Sequence, residues 1–151
     1  MATSSLTALA DAIVTALKAE TWDVPIAPEA KLAPLVQLTD TELHVVVIQV
    51  GDSLTKAGVS PDGVAVEGEY TVDVVVQRKF ASGEEVDAEG LVLVELCAAM
   101  GEFLLAQRLN LGNYHAACNS VARDEVLSLA DFLVEREFFA VLSTKWEARY
   151  W

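Results

Sequence analysis

Apolar residues recur along this chain with two periods, one near 3.6 residues and one of 2, and the period marks the elements. Residues 5–19 carry Leu6, Leu9, Ala10, Ile13 and Leu17 on one helical face, with Thr3, Ser4 or Ser5 available as N-cap. Residues 43–50 are apolar on both faces and β-branched, the pattern of a strand covered on both sides. Residues 67–79 alternate: Tyr70, Val72, Val74 and Val76 share one face, opposite Thr71, Asp73, Val75 and Gln77. Residues 136–150 alternate too, placing Phe138, Ala140, Leu142, Thr144, Trp146, Ala148 and Tyr150 together.

Between the last two strands lies a long helix. Ser82 and Glu85 have capping-box spacing, and Glu84, Glu85, Asp87 and Glu89 suit the positive end of the helix dipole. Val86, Gly90, Leu93, Val94, Cys97, Met100, Gly101, Leu104 and Leu105 form an expected core stripe. Val92, Leu96, Ala99, Phe103 and Ala106 widen the apolar surface beyond an ordinary amphipathic arc, and Glu95 and Glu102 alone clearly mark water. Either a neighbouring subunit or another segment of the same chain covers this second side. Val92, Ala99 and Phe103 are the candidate contacts.

Pro25, Pro28 and Pro34 make 21–34 an extended connection, with a short edge strand expected at 29–32. Residues 51–66 read as a long protruding loop, an arm in which Asp52, Lys56 and Asp62 are candidate contact residues. A turn at 109–114, a strand at 116–123 and a helical connection at 124–134 complete the chain. The fold class is α+β: a single domain over 1–151, with a mixed, mostly antiparallel sheet of about four to five strands and two main helices packed on it. The expected order is α-β-β-α-β-β, with the closing strand docked in the sheet.

Hydrophobic residues make up 53% of the 151, enough for a packed core, yet no apolar stretch reaches the roughly 20 residues of a membrane helix. The N-terminus lacks a basic region, and Asp11 interrupts its apolar run, so it does not read as a secretory signal. A net charge of −13 excludes grip on a nucleic-acid backbone. It serves solubility or a surface past which DNA slides. Cys97 and Cys118 have neither metal-ligand nor redox spacing and read as buried thiols. Nucleophile elbows, phosphate loops, dinucleotide fingerprints and His-based zinc motifs are absent. His44, His115 and Cys118 are the one conceivable metal set, without diagnostic spacing. The residues therefore nominate no catalytic, cofactor-binding or metal-binding group.

The order of segments resembles a family of small tailed-bacteriophage tail terminators, also described as tail-completion, head–tail joining or neck proteins. The resemblance rests on Leu-Ala-Asp-Ala-Ile-Val-Thr-Ala-Leu (9–17), the strand at 43–50 and Tyr-Thr-Val-Asp-Val-Val-Val-Gln-Arg-Lys (70–79). It also rests on Glu-Phe-Leu-Leu-Ala-Gln-Arg-Leu (102–109) and Phe-Phe-Ala-Val-Leu-Ser-Thr-Lys-Trp (138–146). Relatives often close the first long strand with proline and carry a more basic loop after it; here the strand ends Gln49-Val50-Gly51, with a single Lys56 beyond. The resemblance implies a non-enzymatic virion protein, assembled in the host cytoplasm as a ring, usually a homohexamer. Such a ring caps the tail tube, ends its polymerisation and joins tail to head, with the tube protein and a head–tail connector or stopper as partners. DNA passes through its lumen without specific binding. A head-completion or stopper protein on the portal side is the alternative within structural proteins, and a small ligand-binding or enzyme domain is the more distant one.

Overall fold

The computed structural model describes residues 5–31, 41–60, 63–81, 83, 86–111, 114–124 and 137–150. They form α1 (Ser5–Ala19), β1 (Pro28–Ala30), β2 (His44–Ser60), β3 (Gly63–Lys79), α2 (Val86–Leu105), β4 (Arg108–Asn110), β5 (Tyr114–Asp124) and β6 (Glu137–Tyr150). One sheet holds six strands in the order β1-β2-β3-β6-β5-β4. β1 runs parallel to β2, and every other pairing is antiparallel. The α+β class and the two helices stand. The short edge strand expected at 29–32 is present as β1; the strand count and order are corrected to six strands, with β4 following α2 where a turn was expected.

The largest correction concerns residues 51–66. They are not a loop: β2 continues through Ser60 and β3 begins at Gly63, the two staying paired from His44↔Gln77 to Ser60↔Gly63. β6 follows β3 only as far as Val66↔Tyr150. The hairpin tip, Gly58 to Ala65 in pairing terms, thus overhangs β6 by about three residues per strand, roughly 10 Å. Asp62, the 82–85 capping box apart from Gly83, and the helical connection from 125 to 134 lie outside the described residues. Asp124 is the last residue of β5. Gly83 has φ 93°, a left-handed conformation in which a side chain is strained, so glycine suits this turn into α2.

Both helices pack on one face of the sheet. α1 supplies Leu9, Ile13 and Leu17, and α2 supplies Leu93, Cys97, Met100 and Leu104, against Tyr70, Val72, Val74, Val76 and the even-numbered positions of β6. The expected alternation holds: Phe138, Ala140, Leu142, Thr144, Trp146 and Ala148 are all at most 2% exposed. Thr144 is tolerated there because its hydroxyl donates to Val72 O (2.6 Å) and accepts from Trp146 Nε1 (2.7 Å). On the opposite face Val46, Ile48 and Val75 form a smaller buried cluster with Phe139 and Val141 packed against it. Residues 45–48 are therefore buried on both sides, as their apolar run predicts, although β2 is one strand in from the edge.

α1 lies along β1 and β2, and α2 along β5 and β6. Trp22 joins them. Its Nε1 donates to Leu17 O (2.9 Å), and its ring meets Phe103 edge-on. Arg78 fixes the start of α2 through Glu89 (3.2 Å), and its guanidinium lies over the Phe80 ring. α2 ends without a glycine: Gln107 donates from its side-chain amide to Phe103 O (3.2 Å), satisfying one terminal carbonyl.

Candidate interaction surface

α2 is rotated by a fraction of a turn from its expected setting. Leu96, placed with the outer residues, is buried, and Leu105, placed in the core stripe, is 47% exposed. The face turned from the sheet carries Leu91 (59% exposed), Val92 (41%), Ala98, Ala99 and Leu105, broken by Glu95 and Glu102. A helix that hides its apolar residues from water in the monomer would not leave this row open.

The candidate contact residues separate accordingly. Val92 and Ala99 lie on the exposed face. Phe103 is turned aside: it is half-buried, with its ring 5.3 Å from that of Trp22 at an interplanar angle of 79°. Trp22 of its own chain packs against one side of the ring. Asp52 and Lys56 sit on the extended half of β2, opposite Tyr70 and Val66 of β3.

Beside this face, α2 and β5 enclose an open cleft of about 300 Å³, lined by Ala98, Gly101, Leu105, Val121 and Leu142, with Glu102 and Arg123 also on its wall. β4 pairs with β5 only from Ala117 to His115, and beyond Ala117 no described strand lies against the outer side of β5. Val50, 59% exposed, is the extra residue of a bulge between Gln49 and Gly51. Sequence reasoning missed Trp22, Val50 and the cleft. A tryptophan five residues past Leu17, the last apolar residue of α1's face, was the available signal for the first. The other two arise from pairing register, which no local pattern reveals.

The chemistry available is sparse. His44, His115 and Cys118 are not brought together: His44 opposes Gln77, which in turn opposes Phe139 of β6, whereas Cys118 opposes Trp146. Seven residues along β6 and three strand spacings separate the two positions, on the order of 27 Å. Among the described residues no group of three or more His, Cys, Asp or Glu can hold a metal ion. Cys97 and Cys118 are buried free thiols. Burial pushes the Cys118 thiol above its ordinary value, with the Arg108 charge opposing, so it is a protonated packing group and not an activated nucleophile. Among the described residues no helix is long and apolar enough to cross a membrane. No protein-family model matches the chain, and no curated protein matches it significantly.

Proposed function

We propose that this protein is a structural virion component: a ring-shaped homo-oligomer, hexameric in the resemblance described above, that caps the tail tube, stops its growth and joins tail to head. The observation that carries the reading is the exposed apolar face of α2, Leu91, Val92, Ala98, Ala99 and Leu105. Such a face is expected of a subunit and is a liability in a monomer. The net charge of −13 supports a lumen past which DNA slides without adsorbing. The functional groups of the chain lend support by what they are used for: Thr144, Trp146, Arg78 and Gln107 hold the fold.

The test is to add the purified protein to a growing preparation of the tail tube protein, with light scattering and negative-stain imaging. The expected result is closed rings of tube diameter, seated at one end of tubes whose length stops increasing. Tubes that lengthen unchanged, with the protein bound to neither end, overturn the reading.

A further inference from the structure

Among the described residues, the sheet has two edges that are only partly covered. β1 covers β2 only at Val45–Val47, and β2 then runs to Ser60 with no second neighbour among the described residues. β4 covers β5 only at His115–Ala117, and β5 then runs to Asp124 in the same condition. The two open stretches lie towards opposite sides of the sheet. Each presents backbone N–H and C=O groups of the kind a further strand satisfies.

The irregularities of the two strands delimit these stretches. On β2, bulges at Gln49/Gly51 and Lys56/Gly58 bracket residues 51–56, which keep unbroken register with 66–71 of β3. On β5, the bulge at Cys118/Ser120 leaves residues 120–124 in unbroken register with 141–145 of β6. Six regular positions on one edge face five on the other. Bulges at their ends restrict how far any pairing can extend, which limits uncontrolled aggregation.

Each stretch has a complementary apolar feature beside it. Val50, extruded by its bulge, is an exposed hydrophobic residue at the start of the β2 stretch. The 300 Å³ cleft floored by Val121 and Leu142 and walled by Ala98 and Leu105 adjoins the β5 stretch. The charges come close to balancing as well. Residues 51–56 contain one acid and one base, Asp52 and Lys56, while the β5 stretch and its cleft carry Arg123 against Asp124 and Glu102. A contact between these stretches thus holds a single net negative charge although each chain carries −13. Packing α2 against α2 of another copy would instead set Glu95 and Glu102 against their like.

We propose that the open stretch of β2 pairs with the open stretch of β5 in a second copy of this chain and seats Val50 in that copy's α2–β5 cleft. The inference rests on the self-assembly reading and deepens it by naming the surfaces that meet. Because the two surfaces differ, the contact is heterologous: each copy uses both, and repetition closes into a ring or runs on as a filament. The self-repulsion of two acidic chains opposes it, so added salt strengthens the contact, the opposite of an association driven by ion pairs.

Two variants test this, Val50→Cys and Ala98→Cys, each at an exposed position and each made in a Cys97→Ala, Cys118→Ala background because Cys97 lines the cleft, treated separately and mixed with a flexible bis-maleimide. The background protein, which has no cysteine, is the control. The expected result is crosslinked dimer in the mixture and none in either variant alone, with yield rising at least severalfold at high salt. Val50→Asp, expected to fold as the wild type does, should weaken self-association at least tenfold. Crosslinking of Val50→Cys with itself overturns the proposal in favour of a symmetric edge contact. Oligomers in light scattering with no crosslink in the mixture overturn these surfaces and leave the ring reading standing. A monomer that caps tubes but never crosslinks overturns the proposal alone. A monomer that does neither overturns both.

Discussion

Phe103 of α2 meets Trp22 edge-on, ring centroids 5.3 Å apart, and this contact couples the two helices at their common end. Trp22 is itself held by its Nε1–H bond to Leu17 O, so the end of α1, the tryptophan and α2 form one unit. An edge-to-face pair contributes about 1 kcal/mol beyond the area it buries.

Phe103→Ala is therefore expected to lower unfolding free energy by about 2–3 kcal/mol, towards the low end for aromatic truncation because the ring is half-buried. Val92→Glu and Ala99→Glu, on the exposed face, should change it by no more than about 0.5 kcal/mol. Urea unfolding of the three variants checks this. Equal stability of Phe103→Ala and wild type would mean that the ring's contact with Trp22 contributes nothing to the fold.

Thr144 closes a buried chain of hydrogen bonds from Trp146 Nε1 to Val72 O. Thr144→Val keeps the shape but strands the indole N–H, which should cost about 1–3 kcal/mol, while Thr144→Ser should retain most of the stability. A Thr144→Val protein as stable as Thr144→Ser in denaturant titration would show that the hydroxyl is dispensable.

How much of this was legible in the sequence depends on how local its cause is. The faces of β3 and β6 were readable because Tyr70–Val76 and Phe138–Ala148 alternate without a break in the half that is buried. The boundaries of α1 were likewise readable from its apolar spacing. Residues 51–66 were not, because Gly51, Asp52, Ser53, Gly58 and Gly63 have the composition of a loop. What makes this segment strand is register with its partner, continued outward from Val45↔Val76. β4 is three residues long and owes its existence to β5. The setting of α2 was missed for the same kind of reason. Residues 92, 96, 99, 103 and 105 are all apolar, so nothing on the helix chooses among them, and Trp22 and the sheet decide.

Gln49 offers a stabilising substitution. Its side-chain oxygen and nitrogen are shielded from solvent and have no hydrogen-bond partner among the described residues, on a strand whose flanking inward residue, Val47, is fully buried. An amide held this way pays a desolvation cost without recompense. Gln49→Leu should raise unfolding free energy by about 1 kcal/mol, read as a higher denaturation midpoint with unchanged slope. A lower midpoint would mean that the amide makes a contact which leucine cannot replace.

Cys118 makes stability depend on alkaline pH. Burial raises its thiol pKa in the folded protein above the unfolded value of about 8.5, because the thiolate is poorly solvated beside β4 and β6. A raised folded value contributes stability that is fully present below the unfolded pKa and is lost as pH rises through the folded one, since the unfolded chain releases the proton first. The wild type should therefore exceed Cys118→Ala in stability by its full packing contribution at pH 7. That margin should shrink steadily from about pH 8.5 upward, whereas other alkaline titrations, common to both proteins, cancel in the comparison. Denaturant unfolding of the pair at half-unit steps from pH 7 to pH 10 measures it directly. A margin constant across that range would mean that the thiol ionises as easily folded as unfolded, and that its surroundings are wetter than the packing of Cys118 against the β6 strand implies.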